Sequence, residues 1–109
     1  MDKSLKKLGV KWEFDIPSEG NSTPIQLRSY SLYQKQLSQY KLDDIRFMIG
    51  QEIGSQYLVE IAIGYLKNDI LLDAAYYEGD LLNIILKLPL LFWEKHSELT
   101  LNFHHLLKN

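Results

Sequence analysis

The sequence contains no cysteine and no long apolar segment free of charge. Without cysteine the chain can form neither disulfides nor thiolate metal sites, which fits a reducing compartment. The longest stretch lacking Asp, Glu, Lys and Arg is the nine residues 99–107, and it includes two histidines. A helix needs about 20 mostly apolar residues to cross a bilayer. The basic first residues also lack an apolar signal region, so we predict a soluble cytoplasmic protein with no membrane partner.

Sequence motifs for catalysis are missing as well. The chain has no GxSxG nucleophile elbow, phosphate-binding loop, dinucleotide fingerprint or HExxH pair. Ser55 follows Gly54 but has no paired base nearby in the sequence. His104 and His105 are adjacent, and adjacent helical side chains point about 100° apart, which suits a shared metal poorly. We therefore predict no enzymatic activity, no metal site and no cofactor.

The composition is that of an ordinary globular protein, with 46% hydrophobic and 24% charged residues. Its 109 residues suit one domain with one core. Apolar residues recur at helical spacing from Leu42 onward, and no strand-like alternation or repeat is convincing. We predict a single all-α domain, residues 1–109, of about six helices with an irregular N-terminal segment.

Capping residues and breakers place the helix boundaries. Residues 1–11 read as a short, frayed, basic amphipathic segment, and residues 12–23 as a loop. A first helix should begin at Pro24 with Thr23 as its cap. The predicted helices that follow are 42–53, 56–67, 81–88, 90–95 and 98–107, with Asp80 and Ser97 as caps of the third and fifth of these.

Two glycines lie four residues apart in the segment IGQEIG. Glycine in a helix interior costs about 1 kcal/mol relative to alanine, so each requires an explanation. We expect Gly54 to end the 42–53 helix and Gly50 to allow close approach of another helix where a side chain would clash. Arg46, Glu52 and Glu60 rule out a membrane dimerisation motif here.

Charge is distributed unevenly along the chain. Residues 1–11 carry a formal charge of +3, whereas residues 42–80 carry eight acidic residues against Arg46 and Lys67, giving −6. The acidic region disfavours nucleic-acid binding and favours a basic protein partner. Acids at helix starts can equally well serve the helix dipoles. Tyr76 and Tyr77 stand among these acids, and tyrosine is a frequent anchor at protein interfaces.

The segments DDIRFMIGQEIGSQYLVEIAI, YYEGDLLNIIL and FW, in that order, resemble the small helical immunity proteins of bacterial contact-dependent growth inhibition (CDI) systems. That family's pattern combines LR-x-MIGQ-x-IG-x-x-YLV-x-x-A with Y-x-GDLL and P-x-x-FW. The likeness covers about residues 40–95. The chain departs from the pattern at Lys41, where a threonine cap is expected.

The resemblance implies a protein that binds and neutralises the cognate C-terminal toxin domain of a CDI effector, as a 1:1 heterodimer. Toxins of these systems are often nucleases, whose basic clefts an acidic surface could cover. We expect the toxin-binding residues to be Asp15, Glu19, Asp69, Asp73, Tyr76, Tyr77 and Glu78. The alternative is a helical adaptor or regulatory protein that binds another cytoplasmic protein.

Overall fold

The computed structural model describes residues 3–108 and confirms the all-α prediction. Within this range the chain forms six α-helices and no strands, with an irregular segment before the first helix. The helices are α1 (Pro24–Gln34), α2 (Leu42–Gly50), α3 (Ser55–Leu66), α4 (Asp80–Leu86), α5 (Leu90–Lys95) and α6 (Ser97–Lys108). None of these helices has the length and apolar character needed to cross a membrane.

The first helix begins where the sequence predicts. The Thr23 hydroxyl accepts from the Gln26 backbone N–H at 3.2 Å, and the Gln26 side chain accepts from the Thr23 N–H at 2.8 Å. This reciprocal capping box satisfies two N–H groups that would otherwise have no partner in the helix. Pro24 occupies the first turn, where its missing N–H costs nothing.

Helix α3 lies at the centre of the fold. It packs against α2, α4 and α6, while α2 also contacts α1 and α4. Six residues of α3 are buried: Ser55, Leu58, Val59, Ala62, Ile63 and Leu66. An α-helix that is apolar on more than one side must be covered by several neighbours, which explains this central position.

The tryptophan and phenylalanine side chains lie mostly at the edge of the core. Phe103 is buried, and its ring stacks on Trp93 with 5.1 Å between centroids. Trp12, Phe47 and Phe92, like Trp93, are only half-buried and pack against the core from outside. The core itself is mainly aliphatic, built from Leu, Ile, Val and Met.

The N-terminal segment is held to the domain, so the prediction of a frayed end is wrong for the residues that the structure describes. Leu5 is completely buried. Backbone bonds from Lys6 N–H to the Tyr33 carbonyl and from Leu37 N–H to the Lys3 carbonyl join the segment to the end of α1 and to the residues just after it. The start of the predicted segment, Met1 and Asp2, lies outside the described residues.

Helix α2 does not end at Gly54, as predicted, but at a different C-terminal motif. Ile53 N–H donates to the Met48 carbonyl and Glu52 N–H to the Ile49 carbonyl, the bonds of a Schellman motif. Glu52, not Gly54, takes the left-handed conformation at this end, with φ 57°. The prediction erred because glycine only favours this conformation, and a glutamate can adopt it at modest cost.

Gly54 instead precedes α3, and two constraints require glycine there. Its φ of 68° is left-handed, and a Cβ would lie 2.6 Å from the Leu5 side chain. Gly50 has no such constraint, since its Cβ would meet Ile84 at an ordinary 3.5 Å. The expected clash at Gly50 is therefore wrong, and the close approach belongs to Gly54.

These contacts predict different effects of two alanine substitutions on the free energy of unfolding. Gly54→Ala should lower the free energy of unfolding by about 2–4 kcal/mol, because backbone strain adds to overpacking against the fully buried Leu5 side chain. Gly50→Ala, the matched control, should leave stability unchanged or raise it by up to about 1 kcal/mol. Urea unfolding followed by circular dichroism measures both. Equal effects of the two substitutions would contradict this account.

Candidate functional site

Five of the seven predicted binding residues lie together in the loop that joins α3 to α4, here called the 67–79 loop. They are Asp69, Asp73, Tyr76, Tyr77 and Glu78, and all five are exposed. Tyr76 is 73% exposed and Tyr77 46%. Both tyrosines therefore face solvent, on a loop that also carries three exposed carboxylates.

A buried carboxylate fixes the loop. Asp80, the first residue of α4, has no exposed surface. Its Oδ1 accepts from the Ala74 N–H at 2.7 Å, and its Oδ2 accepts from Ala75 at 3.0 Å and Tyr76 at 2.9 Å. We expected Asp80 to cap its own helix, but its side chain binds the preceding loop instead. Three backbone groups of the loop are thus held by one side chain.

Arg46 of α2 completes the arrangement from the other side. Its Nε lies 3.3 Å from Asp80 Oδ2, an ion pair whose angle is too poor for a hydrogen bond. The guanidinium carbon also lies 4.8 Å from the centre of the Tyr76 ring, within the range of a cation–π interaction. The same arginine therefore neutralises the buried carboxylate and supports an exposed tyrosine.

The surroundings of Asp80 alter its protonation. Burial raises the pKa of the carboxyl, but the N–H groups of Ala74, Tyr76 and Ala75 and the charge of Arg46 lower it by more. The net pKa lies below the ordinary value of 3.8. Asp80 is therefore ionised at neutral pH, as its hydrogen-bonding role requires.

Further bonds shape the rest of the loop. The Asp69 carboxylate accepts from the Leu71 N–H at 3.1 Å, and the Gly79 N–H donates to the Leu71 carbonyl at 2.9 Å. Asn83 of α4 donates its side-chain N–H to the Tyr77 hydroxyl oxygen at 2.6 Å. Tyr77 is thereby oriented by α4 while its ring remains accessible.

The structure divides the acidic region of the sequence into two groups. Asp44 is nearly buried and lies 3.0 Å from Arg28, which also approaches Asp43 at 3.6 Å. Asp44 and Asp80 thus have structural roles and are matched by arginines. The carboxylates of Asp69, Asp73 and Glu78 face solvent in the loop. The formal charge of −6 overstates what a partner would meet, because it leaves out Arg28, which pairs with Asp44.

The remaining two predicted residues lie elsewhere. Asp15 and Glu19 are exposed in the irregular segment before α1. The Asp15 carbonyl accepts from Trp12 Nε1 at 3.3 Å, and the residue lines a groove against α1. Among the described residues no hydrogen bond or ion pair joins either of them to the 67–79 loop.

Arg46 and the loop-binding role of Asp80 were missed from the sequence. Gly79-Asp80 before an apolar run is a normal helix-start signal. It therefore did not indicate that the Asp80 carboxylate binds the preceding loop. Donation from backbone N–H groups leaves no trace in the side chains of Ala74 and Ala75. The only available signal was the presence of Arg46 and Asp80 within the two segments that carry the family likeness.

The serine and histidines considered for other chemistry lie at the start of α3 and on or next to α6. Ser55 Oγ is buried and has no hydrogen-bond partner within residues 3–108. His104 and His105 are exposed on α6, and His96 is half-buried against the Phe92 ring. In the described part of the chain no three His, Asp or Glu side chains are grouped as metal ligands would be.

Replacing the buried carboxylate tests its structural role. Asp80→Asn keeps the shape but removes the charge that Arg46 and three N–H groups share, and should cost about 3 kcal/mol of unfolding free energy. Amide hydrogen exchange at residues 74–76 should also accelerate. The control Asp73→Asn, on the exposed part of the same loop, should change stability by less than about 0.5 kcal/mol. If Asp80→Asn keeps wild-type stability and wild-type hydrogen-exchange protection at residues 74–76, Asp80 does not have this structural role.

The pKa of Asp80 predicts a particular pH dependence. Because its folded pKa is below 3.8, the unfolded chain binds more protons as the medium becomes acidic. The stability that Asp80 contributes is complete well above 3.8 and is lost as the pH falls through the folded pKa. The difference in unfolding free energy between wild type and Asp80→Asn should therefore shrink from about pH 6 to about pH 2. A pH-independent difference would contradict the prediction.

Comparison with known proteins gives one family. Residues 13–103 match a family model described as CDI immunity proteins. No curated protein and no solved structure matches the chain. The match spans most of the chain and includes α1–α5, the whole 67–79 loop and Asp80. The chain therefore belongs to the family of CDI immunity proteins.

Proposed function

We propose that this immunity protein neutralises its cognate CDI toxin by binding it through the 67–79 loop. The observation that carries the proposal is the buried Asp80 carboxylate, which fixes a loop bearing three exposed acids and two exposed tyrosines. Family membership supplies the partner, since CDI immunity proteins act against cognate CDI toxins. It also favours this function over that of a general helical adaptor.

The fixed geometry of the loop favours tight binding. A loop that is ordered before binding loses little conformational entropy when the complex forms. Tyr76 is held by Arg46 and Tyr77 by Asn83, yet both rings remain exposed. Tyrosines in such positions supply large contact areas and are frequent hot spots of interfaces. We propose them as the anchors of the complex.

The exposed carboxylates indicate the character of the toxin surface. Asp69, Asp73 and Glu78 would attract a basic surface, accelerate association and repel nucleic acid. A nuclease needs a basic cleft to hold phosphates, and carboxylates that cover such a cleft would block its substrate. We propose that the toxin is a nuclease inhibited in this way, in a cytoplasmic 1:1 complex, with Asp15 and Glu19 as further contacts.

Charge reversal in the loop tests the proposed surface. The triple variant Asp69→Lys/Asp73→Lys/Glu78→Lys should abolish protection of cells that express the toxin and weaken toxin binding at least about 100-fold, as expected when several interface charges become repulsive. The helical circular dichroism spectrum should remain, because Asp80 and Arg46 are untouched. Binding is measured by isothermal titration calorimetry with the purified toxin domain.

A matched control separates the location of the charges from their number. Glu60→Lys/Glu94→Lys/Glu98→Lys makes the same change in net charge with exposed residues of α3, α5 and α6. This variant should bind the toxin nearly as tightly as wild type at moderate salt. Unchanged affinity of the loop variant, or equal losses in both, would refute the proposed surface.

A further inference from the structure

A groove of about 730 Å³ lies between the irregular segment before α1 and α1 itself. Residues 12–18 form one wall, and Ile25, Gln26 and Ser29 of α1 form the other. Gln51 and Ile53, from the turn between α2 and α3, also line it. The groove is therefore built from the neighbouring residues 12–29 and from a turn more than 20 positions further along the chain, and none of these residues belongs to the 67–79 loop.

One wall of the groove is held in place by aromatic packing. The Trp12 ring contacts Tyr30, Tyr33 and Phe14 at centroid distances of 5.0, 5.1 and 5.4 Å. Trp12 Nε1 donates to the Asp15 carbonyl at 3.3 Å, which closes a turn across the wall. Because these contacts come from the protein itself, the Trp12 ring is held in place and the groove is present without a bound partner.

Apolar side chains along the groove are unusually exposed. Phe14 is 62% exposed, Ile16 71% and Ile25 54%. Burying an exposed phenylalanine or isoleucine contributes about 1.5–3 kcal/mol per side chain, so these residues offer considerable binding energy. The backbone N–H groups of residues 11–16 also donate no hydrogen bond within the described residues. They remain available to a partner backbone.

The charge at the groove has one sign. Among the described residues that line it, Glu13 and Asp15 are the only charged ones, and both are exposed, with Glu19 following in the same segment. A purely apolar partner would leave these carboxylates desolvated and unpaired at a cost in binding free energy. A segment that combines an apolar side chain with lysine or arginine would satisfy both the groove walls and its acids.

We infer that this groove is a second toxin-binding site, occupied by a segment of the toxin in which an apolar side chain is flanked by basic residues. The inference rests on the proposed function for the identity of the partner, and deepens it by naming the chemistry of a separate contact. The apolar side chain packs between Phe14 and Ile25, and the basic side chains pair with Glu13 and Asp15.

Trp12 supplies a local probe of occupancy. The only other tryptophan is Trp93 of α5, so Trp93→Phe leaves Trp12 as the single indole of this protein. Acrylamide should quench its emission in the free full-length variant, and saturation with a toxin domain whose own tryptophans are replaced by phenylalanine should reduce that quenching several-fold. If the complex forms but Trp12 is quenched as strongly as in the free protein, the groove is not a toxin-binding site, although the protein still binds the toxin. Absence of any complex defeats the proposed function itself.

Affinity measurements provide the second test. Glu13→Gln/Asp15→Asn and, separately, Ile25→Ser should each weaken toxin binding about 10-fold or more, as the loss of hot-spot contacts does. The control Glu60→Gln/Glu94→Gln removes the same charge from α3 and α5 and should change affinity less than about 2-fold. The acidic pair should also account for part of the salt dependence of binding. Wild-type affinity in both groove variants, with loss in the loop variant, rejects the groove and keeps the loop.

Discussion

The arrangement of this protein around the 67–79 loop depends on one buried carboxylate. Asp80 has no contact with water, so its charge is tolerable only because three backbone N–H groups and Arg46 surround it. The same contacts determine the shape of the loop before α4. Asp80 therefore contributes both to stability and to the shape of the surface, because opening of the loop would break its hydrogen bonds to residues 74–76.

A second constraint operates at the opposite end of the sequence. Leu5 fills the space that a side chain at Gly54 would need, and the turn there also forms part of the groove beside α1. The N-terminal segment thus supports the junction of α2 and α3 from outside. The two candidate contact surfaces, the 67–79 loop and the groove, rest on different parts of one helical core.

Periodicity and capping signals predicted much of the fold. The start of α1 at Pro24 and the bounds of α5 were correct, because a capping box and a proline leave local marks in the sequence. The end of α2 was misplaced, since Glu52 adopts a conformation for which glycine is the usual signal. The docking of Leu5 could not be predicted, because that contact joins residues almost 50 positions apart and has no local pattern.

The candidate site was predicted in part for similar reasons. Exposed acids and paired tyrosines stand out in composition, and five of the seven chosen residues do share one loop. What fixes the loop could not be predicted, since the backbone N–H groups that donate to Asp80 have no side-chain signature. The groove was missed because its walls meet only in the folded chain, although Asp15 had been selected for its charge.

The bonds from Asp80 have a consequence for how this protein can diversify. They engage main-chain N–H groups, which every residue except proline possesses, so the path of the loop depends little on the side chains at positions 75 and 78. Residues at those positions can be substituted without changing the backbone of the loop. A lineage facing a succession of altered toxins could thus acquire new specificities by substitution at the surface, at little risk to folding.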